Sequence, residues 1–272
     1  MATVSNTFAP SSLGRPLSKT LAIYFKEAKY EFLTRLRLRA YSFSTITFPV
    51  MFYVLFGLVL NQKDAAIGGT TIATYLITSY GTFGVMGASL FGTASGLAAE
   101  RGLGWLQVKR ASPMPPFAYF TAKVALSMIF SAAVVCLLLL IGVTFGGVHM
   151  PLLDAAKLVA VLVAGSLPFC AMGLAIGYFV GPNSAVATIN LIYLPLSFCS
   201  GLWVPIMFLP KLMQQIAHFL PPYHLAQLAL GVVGAGQRES NWIHWEALIG
   251  FSLICLGVAR LGFQRDEGKM YG

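Results

Sequence analysis

The sequence predicts an all-α integral membrane protein: six transmembrane helices, an N-terminal amphipathic interfacial helix, and re-entrant-like outer helices before the last span. Of its 272 residues, 57% are hydrophobic and only 10% are charged, whereas soluble domains contain about 25% charged residues. Long runs contain no Lys, Arg, Asp or Glu. The segments on one side of the predicted membrane contain many more Lys and Arg residues than those on the other side. We therefore attribute the net charge of +9 to orientation in a membrane, and expect no nucleic-acid partner.

The spans follow from the uncharged runs, because a charge at the bilayer centre costs roughly 2.5–3.5 kcal/mol and one crossing needs about 20 residues. The run between Lys157 and Lys211 holds two spans, since the Gly-Pro-Asn-Ser cluster at 181–184 predicts a turn. The last run is short, so its span begins near Trp242 and leaves Glu246 at an interface. The predicted spans are residues 42–60, 72–98, 123–143, 158–180, 186–204 and 243–261, which together form a six-span transmembrane domain over residues 42–261.

The distribution of positive residues gives the orientation. With six spans both termini share one side, and that side carries 14 of the 18 Lys and Arg residues. Positive residues accumulate in cytoplasmic connections. We therefore expect a multi-pass protein of the cell inner membrane with both termini in the cytoplasm, a disordered N-terminus over residues 1–17 and a cytoplasmic tail over 262–272.

Residues 18–41 are too polar for a span, yet apolar residues such as Leu21, Phe25, Phe32 and Leu36 recur at steps of four or seven. This spacing predicts an amphipathic helix that lies in the interface and contacts membrane lipid. The alternative is a basic flank that only fixes the orientation of the first span.

A cytoplasmic segment over residues 100–116 follows the second span and reads ERGLGWLQVKRASPMPP. It predicts a short helix that begins after Gly104 and ends at the prolines. Trp105 and Leu106 are its candidate apolar anchors for a soluble partner, with Lys109 and Arg110 at the rim. The alternative is an ordinary interfacial loop whose tryptophan lies among lipid headgroups.

Residues 205–235 are unusually apolar for a connection but are interrupted by Pro210 and Pro221. Each half is too short to cross, so two outer helices are predicted to dip into or lie on the outer leaflet. Three nearby histidines (His218, His224 and His244) lack a carboxylate at ligand spacing, and we interpret them as surface or interface residues.

Several kinds of chemistry have no signature in the chain. It contains no GxxxxGK[ST], GxSxG or HExxH pattern, and no acid or base lies in the middle of a span. We therefore expect no catalytic residue, cofactor or metal ion here, and an energy source on another protein. Gly84 and Gly87 in the second span predict close helix contact at a dimer or bundle interface.

The layout resembles the six-span permease subunits of type-2 ABC exporters. The resemblance is carried by Glu100-Arg101, Gly104, Ala111-Ser112-Pro113, Tyr119 and Lys123, and by Ser200-Gly201, Pro205, Leu209-Pro210 and Leu220-Pro221-Pro222-Tyr223. Gly102 stands where the family usually has a second acid, which affects the detail of docking.

The resemblance implies a homodimer, or a pair with a similar permease, that carries two copies of a separate ABC ATPase subunit with its ATP and Mg. The coupling segment would be formed by Glu100, Arg101, Trp105, Leu106, Lys109, Arg110, Ser112 and Pro113. The translocation path or dimer interface would include Tyr80, Gly84, Gly87, Asn190, Ser197 and Gly201, and the outer helices Pro205, Pro210, Pro221 and Tyr223.

An ATP-driven exporter of an amphiphilic drug-like or lipid-like compound is the function that these features favour. One alternative is export of a lipid-linked polysaccharide, for which Tyr75, Tyr80, Phe83, Phe91, Tyr193, Phe198 and Trp203 are candidate lining residues of an aromatic tunnel. Another is a membrane assembly factor unrelated to ABC transporters.

Overall fold

A computed structural model describes residues 16–60, 66–112, 114–115, 117–236 and 240–268. Over these residues the chain is helical apart from its connections and one small hairpin, in which β1 (Ala66–Ile67) pairs antiparallel with β2 (Thr70–Thr71). The helices are α1 (Leu17–Arg37), α2 (Arg39–Phe52), α3 (Ile72–Leu90), α4 (Gly96–Gly102), α5 (Trp105–Ala111), α6 (Ala118–Phe145), α7 (Leu152–Ala164), α8 (Ser166–Phe179), α9 (Ala185–Cys199), α10 (Lys211–Ala217), α11 (Pro221–Val232) and α12 (Asn241–Gly268). Two π-helical stretches, Tyr53–Val59 and Phe91–Ser95, and a 3₁₀ turn, Ile206–Phe208, complete the set.

Within these described ranges, five helical stretches are long and apolar enough to cross a bilayer. They are Tyr41–Val59, Ile72–Gly102, Ala118–Phe145, Leu152–Phe179 and Asn241–Asp266. Large apolar side chains such as Leu140, Leu253 and Ile254 are exposed on them, as contact with lipid requires. An all-α membrane protein is therefore confirmed.

The fifth predicted span, residues 186–204, contains a shorter helix than expected. Helix α9 has 15 residues and is about 22 Å long, against about 30 Å of hydrocarbon. It ends at Cys199 because Gly201 adopts φ +76°, a left-handed conformation that interrupts a helix. The six-span topology thus stays a prediction.

Helix α3 lies at the centre of the bundle, and eighteen of its nineteen residues are buried. It contacts α2, α6, α8 and α11. Through the π-helical stretch it continues into α4, so the second predicted span extends beyond residue 98 to Gly102. This continuous rod joins the middle of the bundle to the segment that follows it.

Helix α1 begins at Leu17 and packs against α6. Its apolar side chains Leu17, Leu21 and Phe25 are exposed, whereas Glu31 and Arg35 are buried. Lys26 and Lys29 are exposed as well, and Phe32 packs against Phe130 of α6, so both sides of this helix mix polar and apolar residues. An interfacial location in the bilayer remains a prediction, which the exposed apolar and basic side chains suit.

The predicted outer segment forms α10 and α11, and the first ten residues of α11 are buried. Gly165 separates α7 from α8, and a Cβ at Gly165 would collide with the side chain of Leu225 in α11. Leu225 thus occupies a notch that exists only because residue 165 has no side chain.

Candidate functional site

The segment after the second span forms the short helix α5, and glycine starts it. Gly104 has φ +73°, which glycine adopts without strain, and its carbonyl accepts from the backbone N–H of Gln107 at 3.1 Å. At the other end, the N–H of Ser112 donates to the Val108 carbonyl at 3.1 Å. Its hydroxyl donates to the Lys109 carbonyl at 2.7 Å. Pro113 and the side chain of Arg110 lie outside the described part of the structure.

The two sides of α5 differ in exposure. Leu106 is 6% exposed and packs with Leu97, Tyr119 and Leu174 inside the bundle. Trp105 is 55% exposed, and Val108 beside it is also exposed. Of the two residues expected to anchor a partner, Leu106 instead holds α5 to its own chain, because the helix turns it inward. The exposed apolar surface consists of Trp105 and Val108.

An ion-pair cluster fixes α5 to three other helices. Lys109 Nζ donates to Glu27 Oε1 of α1 at 2.6 Å and lies 3.8 Å from Glu100 Oε2 of α4. Glu100 Oε1 in turn accepts from Lys123 Nζ of α6 at 2.8 Å. The cluster comprises Glu27, Glu31, Arg35, Glu100, Lys109 and Lys123. Its three carboxylates and three cations balance.

Lys123 lies at the centre of the ion-pair cluster and its side chain is fully buried. Its ammonium group also donates to Glu31 Oε1 at 2.9 Å and lies 4.8 Å from the ring centroid of Tyr119. Burying a charge is costly unless it is paired and hydrogen-bonded. Two carboxylates and an aromatic face meet that requirement here.

The charges in this cluster shift one another's pKa. Burial by itself raises the pKa of Glu31, but the positive charges of Lys123, Arg35 and Lys109 together outweigh burial, and the pKa ends below its usual value. Burial lowers the pKa of Lys109, but the carboxylates of Glu100 and Glu27 outweigh it, and the pKa ends above its usual value. Both groups are therefore charged at neutral pH.

A glycine in α4 makes room for the cluster. A Cβ at Gly96 would collide with the guanidinium of Arg35 and would lie 3.0 Å from Lys123 Nζ. Arg35 also lies over the ring of Tyr41, 5.5 Å from its centroid. The missing side chain at position 96 therefore lets the buried arginine of α1 approach the end of the second span.

Arg101 links the same region to α8 and α12. Its Nη2 donates to Asp266 Oδ1 at 2.8 Å, and its Nη1 donates to the Gly177 carbonyl at 2.8 Å. Together with the ion-pair cluster, this arginine joins neighbouring ends of α1, α4, α5, α6, α8 and α12.

The sequence has relatives among known proteins. Over residues 27–233, the sequence matches the family described as ABC-2 type transporter. The chain belongs to this family. It is 26% identical over 242 residues to a protein of Bacillus subtilis (strain 168) named "Putative transport permease YvfS". The aligned region covers 89% of this chain and 97% of that protein.

Membership makes the chain a multi-pass membrane protein of an ABC-2 type transport system, a family of transport permeases. Permeases of this family generally work with ABC ATPase subunits. Within the described residues, no group of three His, Cys, Asp or Glu side chains is arranged to hold a metal ion.

The residues proposed for the translocation path or dimer interface pack mainly inside this ABC-2 permease. A Cβ at Gly84 would lie 2.6 Å from Val134 of α6, and one at Gly87 would lie 2.8 Å from the Tyr193 hydroxyl of α9. That hydroxyl donates to the Phe83 carbonyl at 3.0 Å. The two glycines therefore permit close helix contact within the bundle.

The other four candidates of this set are distributed along α3 and α9. Tyr80 is buried and stacks on Phe52, and Ser197 is buried and donates to the Tyr193 carbonyl. Asn190 is half-buried. Gly201 lies in the turn after α9, where a Cβ would lie 3.1 Å from the Cβ of Ile206. These positions lie within one chain, and their part in a path or dimer stays a prediction.

The prolines of the outer segment start its helices, as proline suits the beginning of a helix. Pro205 precedes the 3₁₀ turn, Pro210 precedes α10 and Pro221 is the first residue of α11. Tyr223 is buried, with its ring 4.7 Å from that of His218.

Sequence reasoning missed two groupings. His224 and His244 are both buried, and their Nδ1 atoms are 2.9 Å apart, although 20 residues separate them. The sequence analysis gives no role to Glu27 and Glu31. Their spacing of four residues, continued by Arg35, places all three on one face of α1 and was the available signal.

Proposed function

We propose that this ABC-2 permease is the transmembrane subunit of an ATP-driven exporter, powered by two copies of a separate ATPase that dock on residues 100–116. One observation carries the proposal: the exposed apolar surface of α5, formed by Trp105 and Val108, belongs to a helix held to its own bundle by the buried Leu106 and by the partly buried ion pairs of Lys109. An exposed aromatic anchor on a firmly fixed short helix suits docking of a soluble partner.

The same contacts suit transmission of movement. Lys109 links α5 to α1 through Glu27, and Glu100 links α4 to α6 through Lys123. Separating buried ion pairs is expensive. ATP-driven closure of the ATPase pair would therefore move α1, α4, α5 and α6 together, and all nucleotide chemistry would take place on the partner.

We further propose six spans, both termini in the cytoplasm and a location in the cell inner membrane. Helix α9 would complete the fifth crossing together with the turns that follow it, up to Leu209. A membrane-impermeant thiol reagent applied to Gln107→Cys and Asn241→Cys chains tests this topology. Labelling of intact cells at 241 but not at 107 is expected; labelling of both from one side would refute the topology.

For the cargo we propose an amphiphilic drug-like or lipid-like compound, moved by a homodimer or by a pair of similar permeases. The aromatic residues considered for a glycan tunnel pack largely against one another: the ring centroids of Phe83 and Tyr193 are 4.7 Å apart, and those of Phe83 and Trp203 are 5.8 Å apart. This packing leaves less aromatic surface for stacking sugars. The lipid-linked polysaccharide remains the alternative within the same architecture.

Docking is tested by co-purification with an ABC ATPase encoded nearby. We expect Trp105→Ala combined with Val108→Asp to abolish the complex and the permease-dependent ATPase rate. The matched control is Trp242→Ala, which removes a similarly exposed tryptophan at the start of α12, on the side predicted to face outward. An intact complex in the double variant would remove the coupling assignment. Failure of the unaltered chain to co-purify with such an ATPase would favour an assembly factor that needs no ATPase.

A further inference from the structure

A groove of about 900 Å³ lies between the cytoplasmic-side ends of α6 and α12. Helix α8 contributes Leu174 and Tyr178 to its lining, and α5 contributes Leu106 and Lys109. The volume is near the top of the range of about 300–1,000 Å³ for small-molecule sites. None of the residues proposed for the translocation path lines it.

The lining changes in character along the groove. Helix α6 runs away from α5, so Met128 lies about 10 Å deeper than Thr121. Helix α12 runs in the opposite sense, so Leu256 lies one turn deeper than Arg260. The described lining residues include two cations, Lys109 and Arg260, and no acid. The groove is thus cationic at its cytoplasmic end and apolar further in.

Arg260 makes the cationic end available to a ligand. Its side chain is exposed, and within the residues that the structure describes it forms no ion pair with an Asp or Glu. Lys109 adds positive charge but shares it with the ion-pair cluster. Basic pockets between transmembrane helices on the cytoplasmic side suit the headgroups of anionic lipids.

We propose that this groove binds an anionic phospholipid of the cytoplasmic leaflet. The phosphate lies at Arg260 and Lys109, and the acyl chains extend along α6 and α12 past Ala125 and Met128. The lipid is a resident ligand, not cargo. Because Lys109 belongs to both the groove and the ion-pair cluster, the bound headgroup contacts the segment that we propose as the ATPase docking site.

Native mass spectrometry of the purified full-length chain tests the proposal without any partner. Phosphatidylglycerol and phosphatidylcholine with identical acyl chains are titrated separately, and we expect tighter binding of phosphatidylglycerol. Arg260→Gln should weaken phosphatidylglycerol binding about fivefold, the order of one cation beside an anionic lipid, and should leave phosphatidylcholine unaffected. Ala125→Phe fills the groove and should remove the binding of both.

Arg265→Gln is the matched control. It removes an exposed cation of the same helix that does not line the groove, and it should leave both affinities unchanged. Thr121→Phe fills the exposed mouth instead of the interior, so it repeats the test if Ala125→Phe does not elute as a monodisperse protein. Equal losses in the Arg260 and Arg265 variants, no preference for phosphatidylglycerol, or full binding after the groove is filled would each overturn the proposal.

Discussion

Replacing Lys123 with Met removes the cation that Glu31 and Glu100 both contact at the centre of the ion-pair cluster. Lys123 is fully buried, the side chains of Glu31 and Glu100 are 8% and 19% exposed, and Nζ lies 2.9 and 2.8 Å from their oxygens. Removing one partner of a buried ion pair costs about 3–5 kcal/mol. We expect the free energy of unfolding to fall by about that amount, because the methionine replaces the volume of the lysine but not its charge.

The assay is unfolding of the purified chain in mixed micelles with increasing SDS. Lys157→Met is the matched control, since Lys157 also lies 2.9 Å from a carboxylate, that of Asp154, but the two side chains are 54% and 34% exposed. Exposed pairs contribute about 0–1 kcal/mol. Adding Glu31→Gln to Lys123→Met should recover part of the loss. Equal losses for the Lys123 and Lys157 variants would refute the assignment of a buried charge network.

Three further predictions concern the same helices. Gly96→Ala should lower the free energy of unfolding by about 1–3 kcal/mol, because its methyl group displaces the Arg35 guanidinium. Gly84→Leu should unfold the bundle, because its side chain meets Val134 and Pro49, and the monodisperse fraction in size-exclusion chromatography reports it. Stability from Glu31 should be present above pH 4.5 and lost as the pH falls through its lowered folded-state pKa, and SDS unfolding at several pH values measures it.

Each of these has its own control. Gly250→Ala adds a methyl group in open space and should be neutral or stabilising by up to about 1 kcal/mol; a loss equal to that of Gly96→Ala would contradict the steric argument. A Gly84→Leu chain that elutes normally would show that α2, α3 and α6 are not closely packed there. Glu31→Gln should flatten the acid side of the stability profile, and an unchanged profile would assign it to other carboxylates.

The sequence predicted the membrane class, and five of its predicted spans overlap helical stretches that are long and apolar enough to cross a bilayer, because the signal is local. A helix in lipid must satisfy its backbone within its own segment, so each uncharged run predicts a helix without knowledge of its neighbours. The exception is α9, where Ser200 and Gly201 end the helix early. The length of the fifth span was predicted from the uncharged run alone, and the absence of charge does not show where the backbone turns.

The contacts of the candidate site could not be predicted in the same way. Glu31 and Lys123 are 92 residues apart, and Arg101 and Asp266 are 165 residues apart, so only the packing of whole helices brings them together. Leu106 shows the same limit on one short helix. An apolar side chain at this position could contact either a partner or the bundle. The orientation of α5 about its axis turns Leu106 toward the bundle.

The notch at Gly165 has a mechanical consequence for the outer segment. The side chain of Leu225 packs into the space beside Gly165 at the junction of α7 and α8. Helix α11 therefore cannot slide along those helices unless that side chain first leaves this space. A tilt of α7 and α8, which form the apolar stretch Leu152–Phe179, therefore moves α11 as well. Any residue larger than glycine at position 165 would push α11 away from the junction of α7 and α8. The outer segment would then no longer move together with the interior of the bundle.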